Sequence, residues 1–168
     1  MRSNPLAKFL VLSVVSFCIG TLHGMLQVLP SVRKWLDSIG SPYGGPGHMI
    51  DPLAHAHMNL VGGVVLLAMG TTYYLLPLMT GRTIHSIRMV NQTFWWTAIG
   101  AYGFYVVQMV FGIWEGMLMH TDAPRMLWVH RFYGPAVATF GTVMAVGFFA
   151  YFLNIALTLR APRSTSSR

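Results

Sequence analysis

Of the 168 residues of this chain, 54% are hydrophobic and only 9% are charged, whereas an average soluble domain is roughly 25% charged. A chain this short has too much surface to hide so large an apolar fraction from water, which excludes an ordinary soluble domain and predicts an integral membrane protein surrounded by the lipid bilayer. The net charge of +7 does not indicate a nucleic-acid partner, because the basic residues flank apolar stretches of membrane-spanning length.

Four apolar stretches are long enough, as helices, to cross the ~30 Å hydrocarbon layer of a bilayer, which takes roughly 20 residues. In chain order they run from about Lys8 to Leu29, Leu53 to Met79, Phe94 to Met119 and Met126 to Leu159. The first has the basic start of a signal peptide, but its length and the lack of a clear cleavage site favour a retained helix. The sequence thus predicts an all-α, integral membrane four-helix bundle, with residues 1–160 as one domain and residues 161–168 as a disordered basic tail.

The connections between these spans predict the orientation of the chain. A Gly/Pro-rich loop (38–52), a basic loop (80–92) and a short link (121–124) join the four spans. Most basic residues lie on the side that holds both termini and the basic loop, and such loops stay in the cytoplasm. We therefore expect both termini in the cytoplasm and the chain in a bacterial inner (plasma) membrane. Asp51-Pro52, just before the second span, predicts a helix cap followed by a helix start.

The sequence His55-Ala56-His57 opens the second span. Residues two apart on an α-helix point about 200° from each other, so the two imidazoles face opposite sides of the helix. This geometry suits two metal centres flanking one helix, because a single ion gripped by both residues would require a spacing of three or four. We expect His57 on the order of 10 Å below the membrane surface, with His130 of the fourth span and His23 of the first at a comparable depth. Neutral imidazoles at one level inside a membrane are what an axially ligated heme requires.

Several residues near these histidines have two interpretations. His130 is the candidate axial partner of His57, and its neighbour Arg131 is a candidate partner for a heme propionate. The competing interpretation of His130 is a buried histidine that bonds a helix carbonyl. For His23, an interhelical hydrogen bond is favoured over a heme role. Arg125, at the start of the fourth span, either holds a propionate or anchors the helix at the surface.

Glu115 is the one acidic residue inside a predicted span. It either takes part in a proton path or binds a cation near heme propionates; the alternative is a carboxylate that reaches water near the surface. The glycines of the second and third spans either leave room for a flat porphyrin or allow close helix packing, and we favour packing. These glycines are Gly62, Gly63, Gly70, Gly100, Gly103, Gly112 and Gly116.

Short motifs of the second and third spans resemble a known family. They are His55-Ala-His-Met-Asn-Leu-Val-Gly-Gly, Thr72-Tyr-Tyr-Leu-Leu-Pro, Thr80-Gly-Arg, and Phe94-Trp-Trp with Gly100 and Gly112. Together they are similar to the catalytic subunit of the heme-copper oxidase superfamily, above all to its C-type (cbb-type) oxidases and nitric oxide reductases at their tenth and eleventh helices. The flanking spans would correspond to the ninth and twelfth helices. The resemblance implies that His55 ligates a high-spin heme and His57 a low-spin heme, so that the chain carries one or two hemes b.

The resemblance also indicates what other chains would have to supply. No segment matches the family helices that carry the copper-binding histidines, so we expect no copper from this chain alone. None matches the early helix that carries the other low-spin axial ligand, and we expect a homo-oligomer or other respiratory-complex subunits to complete the site.

Three functions are compatible with these expectations. The leading hypothesis is a heme-binding membrane b-type cytochrome that transfers electrons in a respiratory complex, as a component of an oxidoreductase similar to cytochrome c oxidase or nitric oxide reductase. The alternatives are a heme-free accessory or assembly subunit, and a five-coordinate heme protein that binds oxygen or nitric oxide.

Overall fold

The computed structural model describes residues 5–162, and within this range the chain is helical, with short connections and no strand. Among these described residues, four helical segments are long and apolar enough to cross a membrane. In chain order the helices are α1 (Ala7–Gln27), α2 (Pro30–Ser38), α3 (Gly45–Thr80), α4 (Ile87–Leu118), α5 (Ala123–His130) and α6 (Tyr133–Arg160), of which α5 and α6 together form the fourth spanning segment. The predicted all-α, four-helix membrane fold is confirmed; residues 163–168 of the predicted tail lie outside the described residues.

Helix α3 begins within the segment predicted to be a Gly/Pro-rich loop. Pro46 lies in its first turn, where a missing backbone N–H leaves no hydrogen bond unmade. The helix is interrupted at Asp51, whose backbone is extended (φ −131°, ψ 114°). Wider turns of π type occupy Met58–Val65, so the histidine pair lies between the break at Asp51 and these turns. The sequence prediction started this helix at Leu53 because only the residues that follow form an unbroken apolar run.

The predicted cap at Asp51 is wrong. Asp51 has the extended backbone of a cap residue, but its carboxylate bonds other side chains rather than the N–H groups of the helix start. Nη1 of Arg33, on α2, donates to Oδ2 of Asp51 at 2.6 Å, and the hydroxyl of Ser41 donates to the same oxygen at 3.0 Å. A charge-assisted hydrogen bond to a guanidinium is stronger than one to a neutral N–H, so the carboxylate turns toward α2.

Helix α4 lies at the centre of the bundle, between α3 and α6, and α1 packs on α3. Glycines set these close approaches. A Cβ placed on Gly62 would lie 2.7 Å from the hydroxyl of Ser16 on α1, and one placed on Gly100 would lie 2.5 Å from the backbone nitrogen of Met144 on α6. The favoured interpretation of the glycines, close packing of transmembrane helices, is confirmed.

The two ends of the bundle are defined by contacts between helices. The rings of Phe9 and Phe94, near the starts of α1 and α4, have centroids 5.0 Å apart, and the backbone N–H of Ser86 donates to Oδ1 of Asn154, late in α6, at 3.1 Å. Residues 5 and 162 therefore lie at one end, which we call the terminal end. The other end holds α2 and the connection between α4 and α5, and we call it the loop end.

Candidate functional site

His55 and His57 lie between the break at Asp51 and the wider turns of α3, and they contact different helices. The ring of His55 is edge-on to that of His23 on α1, with centroids 5.8 Å apart. The ring of His57 lies against Phe104 on α4, with centroids 4.5 Å apart. These contacts agree with the predicted placement of the two imidazoles on opposite faces of one helix.

His57 is held in one tautomer by its own helix. Its Nδ1 lies 3.1 Å from the carbonyl oxygen of Leu53, one turn earlier. Because a carbonyl only accepts hydrogen bonds, Nδ1 carries the proton. Its Nε2 makes no hydrogen bond to any residue of the described range. A neutral imidazole oriented by a carbonyl, with Nε2 free, is the form that ligates a metal.

The ring of His55 is less firmly held. Its Nδ1 is buried and has no hydrogen-bond partner within residues 5–162. Oδ1 of Asp51 lies 3.7 Å from this nitrogen, which is beyond hydrogen-bonding distance. Since Nε2 of His55 is also without a hydrogen bond to the described residues, His55 offers a nitrogen that can ligate a metal, but its orientation lacks a fixed acceptor.

His23 uses both ring nitrogens for hydrogen bonds. Its Nε2 lies 3.0 Å from the side-chain amide nitrogen of Gln27, which donates, so Nε2 accepts. Its Nδ1 then carries the proton and faces the hydroxyl of Tyr105 on α4 at 3.4 Å. The structure therefore favours the interhelical hydrogen bond over the heme role for His23, because the lone pair that would ligate a metal is already engaged.

His130 is paired with a buried carboxylate. Its Nδ1 donates to Oε2 of Glu115 at 2.9 Å; the side chain of His130 is 53% exposed and that of Glu115 only 3%. Two interpretations based on the sequence are therefore wrong: Glu115 does not reach water, and His130 bonds a carboxylate instead of a helix carbonyl. The second oxygen of Glu115, Oε1, is buried and has no partner among the described residues.

His130 also lies nearer the loop end than His23, His55 and His57. His57 contacts residue 104 of α4, His23 bonds residue 105, and His130 bonds residue 115. The eleven residues from 104 to 115 correspond to a rise of about 16 Å. Two axial ligands of one iron lie on the order of 4 Å apart, since each metal–nitrogen bond is roughly 2 Å. The structure thus brings His23, His55 and His57 to one level and does not bring His57 and His130 together.

The predicted depth of His130, at the level of His57, is wrong. The reason is that His57 lies further from the start of α3 than His130 lies from the start of α5. Helix α3 begins at residue 45, twelve residues before His57, whereas α5 begins at residue 123, seven residues before His130. The first turns of α3 lie beside the loop-end part of α4, where a Cβ on Gly112 would be 3.0 Å from the carbonyl oxygen of Pro46. Counting from the first apolar residue had placed His57 too close to the surface.

Arg125 and Arg131, at the two ends of α5, are both exposed. The backbone N–H of Arg125 donates to Oδ1 of Asp122, which caps α5, at 3.0 Å. Exposure at a helix start suits the surface-anchor interpretation of Arg125. A propionate contact by either guanidinium stays a prediction.

A group of ion pairs that sequence reasoning missed fixes Asp51 near His55. Arg33 reaches Oδ2 of Asp51 with Nη1 and Oδ1 of Asp37 with Nη2, each at 2.6 Å. The hydrogen bonds to Asp37 and then to Asp51 raise the pKa of the Arg33 guanidinium above its ordinary value. The pair of Arg33 and Asp37 could have been found from its spacing of four residues on a helix. No local pattern signals the contact with Asp51, which lies 18 residues further along the chain.

The fold defines an integral membrane protein, and comparison with known proteins identifies its family. Residues 52–152, which are more than half of the chain, match the family described as cytochrome C and quinol oxidase polypeptide I. The chain belongs to this family, and the predicted resemblance to the heme-copper oxidase catalytic subunit is confirmed.

Individual relatives carry oxidase names. The cbb3-type cytochrome c oxidase subunit CcoN1 of Stutzerimonas stutzeri is 28% identical over 120 residues, which are 70% of this chain and 23% of that protein. The cytochrome c oxidase subunit 1 homolog of Agrobacterium tumefaciens (strain T37) is 23% identical over 142 residues, or 83% and 24% of the two chains. Cytochrome c oxidase subunit 1 of Rhodobacter capsulatus is 24% identical over 158 residues, or 92% and 28%. The chain thus spans about a quarter of the length of these relatives.

Two histidines of the described residues have the free ring nitrogen that an axial ligand of a heme iron requires. Within residues 5–162 no cluster of three or more histidine, cysteine or carboxylate side chains could hold a metal ion by itself. A heme iron needs less from the protein, because the porphyrin supplies the equatorial ligands and the protein only the axial ones. His57 and His55 meet this need, each with a free Nε2, whereas His23 does not.

Proposed function

We propose that this chain is a heme-binding b-type cytochrome of a bacterial respiratory complex, and that it transfers electrons through heme b bound at His57 and His55. The observation that carries the proposal is the imidazole of His57, with Nδ1 bonded to the carbonyl of Leu53 and Nε2 free. It lies inside a membrane helix of a family whose relatives are named cytochrome c oxidase subunits. When bound, a heme supplies a one-electron iron couple whose potential depends on its axial ligands.

The two imidazoles contact different neighbouring helices, which supports one heme at each histidine, and so two hemes b in a fully loaded protein. A low-spin heme at His57 needs a second axial ligand. Because His130 bonds α4 about 16 Å from the residue that His57 contacts, we propose that another chain supplies this ligand. That chain is another respiratory-complex subunit or a second copy of this one.

A heme-free accessory or assembly subunit is the second candidate, and the packing of the glycines favours it. Gly63 faces the ring of Phe17, where a Cβ would lie 2.6 Å from Cε1, and Gly103 is in close contact with the ring of Phe140. Side chains of this protein thus fill the spaces in which a porphyrin was expected. In this case the oxidase-like helices serve to dock on a partner.

A reduced-minus-oxidised optical spectrum of the protein, purified in detergent with its native partners, tests the proposal. We expect a b-type signal with two components. His57→Ala should remove the low-spin component, and His55→Ala should remove the component that responds to carbon monoxide. His130→Ala should keep the low-spin signal, as should the matched control His120→Ala, whose exposed ring bonds only the backbone oxygen of Ser38.

Each outcome separates the candidates. The absence of heme from protein purified with its partners would reject the cytochrome and leave the accessory role. A heme that binds carbon monoxide, without any low-spin signal, would indicate a single axial ligand and a five-coordinate protein that binds gas molecules. Loss of the low-spin signal in His130→Ala would restore His130 as an axial ligand.

A further inference from the structure

Asp51 lies at the break in α3, four residues before His55, and α2 holds its side chain in place. Oδ2 accepts hydrogen bonds from Nη1 of Arg33 at 2.6 Å and from the hydroxyl of Ser41 at 3.0 Å. Arg33 is itself fixed by Asp37, one turn away on α2, at 2.6 Å. One carboxylate oxygen of Asp51 is therefore committed to α2, and the other, Oδ1, faces His55.

The nitrogen of His55 that faces Asp51 has an unmet hydrogen-bonding requirement. Nδ1 is buried and without a partner in the described part of the chain, and it lies 3.7 Å from Oδ1 of Asp51. When Nε2 of an imidazole binds a metal, the ring proton must be on Nδ1, and a buried N–H needs an acceptor. The neighbouring ring of His23 cannot provide one, because both of its nitrogens are engaged with Gln27 and Tyr105.

We propose that Asp51 is the positioning residue of His55: its Oδ1 accepts the Nδ1 proton when Nε2 ligates heme, and Arg33 and Ser41 hold the carboxylate for that purpose. The inference rests on the proposed function, since it concerns His55 as a heme ligand. A shift of about 0.8 Å closes the gap to a normal hydrogen-bond length. The contact makes the imidazole a stronger electron donor, which favours ferric over ferrous iron. Helix α2 would thereby influence the potential of a heme bound at His55.

Asp51→Asn tests this inference, with Asp37→Asn as the matched control. Both carboxylates pair with Arg33, but only Asp51 is near His55. Both variants are purified with their native partners. Resonance Raman spectroscopy of the reduced protein measures the iron–histidine stretching band of the heme at His55, and a redox titration measures the midpoint potential of the same heme. In Asp51→Asn we expect the band at lower frequency and the midpoint potential higher than in the wild type. Asp37→Asn loosens Arg33 but keeps the carboxylate of Asp51 beside His55, so it should shift both by much less than Asp51→Asn does.

The possible outcomes are distinct. Heme bound in normal amount, with the band of Asp51→Asn at the wild-type frequency, would overturn the inference and leave the proposed function standing. Equal shifts in both variants would also overturn it, because the effect would then come from the charge of Arg33. The absence of heme from the wild type would reject the proposed function and the inference with it.

A second variant covers the case in which Asp51→Asn does not fold. Ser41→Ala removes one of the two hydrogen bonds that hold Oδ2 and keeps the carboxylate and its ion pair. It should shift the band and the potential in the same directions as Asp51→Asn, by a smaller amount. Values identical to the wild type in Ser41→Ala would contradict the role assigned to the α2 side of this network.

Discussion

At the residue scale, the hydrogen bonds of its two ring nitrogens determine what each histidine of this bundle can do. The Nδ1–H of His57 donates a hydrogen bond to the carbonyl oxygen of Leu53, and Nε2 stays free. This imidazole can therefore ligate a metal. His23 uses both ring nitrogens in hydrogen bonds, one with the amide of Gln27 and one with the phenol of Tyr105, and so joins α1 to α4. His130 donates a hydrogen bond from Nδ1–H to the buried carboxylate of Glu115, and its own side chain is half exposed. Identical side chains thus have three different roles because their neighbours differ.

The pair of Glu115 and His130 predicts a measurable change in stability. In His130→Ala the carboxylate of Glu115, 3% exposed, loses its hydrogen-bond donor, and we expect the free energy of unfolding to fall by roughly 1–3 kcal/mol. Adding Glu115→Gln should recover most of that loss, because a neutral amide is less costly to bury unpaired than a carboxylate. Thermal unfolding in detergent measures both variants. An equal Tm for the single and the double variant would show that Glu115 does not depend on His130.

The sequence predicted on which faces of the helix His55 and His57 lie, but it did not predict which side chains on other helices bond to His130 and Asp51. The angle of 100° per residue placed His55 and His57 on opposite faces, and a helix built from Leu53 onward preserves that angle. The pairs of Glu115 with His130 and of Arg33 with Asp51 join different helices. Such pairs depend on how far each helix extends and at which height it packs, which no local pattern records.

At the scale of elements, hydropathy located the four spans, whereas polar residues decided where the helices begin. Helix α4 begins at Ile87 instead of Phe94, because Ser86 caps it: its hydroxyl accepts from the backbone N–H of Met89 at 3.3 Å. The first turns of α4 contain Arg88 and other polar residues, so an apolar window excludes them. The start of α3 was missed for a related reason, since glycine and proline mark loops and first helical turns alike.

The packing of α4 against α6 predicts that replacing glycine by alanine lowers stability at Gly100 but not at Gly141. A Cβ on Gly100 would lie 2.5 Å from the backbone nitrogen of Met144, and because backbone cannot rotate away, the two helices must separate. We expect Gly100→Ala to lower the free energy of unfolding by roughly 1–3 kcal/mol. Gly141→Ala is the matched control on α6: a Cβ there meets nothing within 4 Å, so the variant should be as stable as the wild type or slightly more stable. Equal destabilisation of the two variants, measured by thermal unfolding in detergent, would contradict this packing.

At the scale of the whole molecule, the bundle is unevenly covered. In the most apolar windows of the spans, 39% of α4 is buried but only 17% of the fourth spanning segment. Phe149 and Phe152, both on α6, are 73% and 60% exposed. Lipid or another polypeptide must therefore cover α6, and the chain spans about a quarter of the length of its oxidase relatives. The histidine level lies in the middle of α4, which is the best covered helix.

The four spans and the distribution of charge predict which end of the bundle faces the cytoplasm. An even number of spans puts residues 5 and 162 on the same side, and Arg82, Arg88 and Arg160 lie at that terminal end. Basic residues next to spans are retained in the cytoplasm, so the loop end should face outward. Cysteine labelling tests this arrangement in a variant in which Cys18, the single cysteine, is replaced by alanine.

Tyr43, 96% exposed at the loop end, and Thr83, exposed between α3 and α4, are the two labelling sites. On intact spheroplasts a membrane-impermeant maleimide should label Tyr43→Cys and leave Thr83→Cys unlabelled until the cells are lysed, because the bilayer separates the two positions. The reverse pattern would invert the orientation and put the terminal end of the bundle outside. Labelling of both variants on intact cells would be incompatible with α3 as a membrane span, since one crossing of the bilayer separates the two residues.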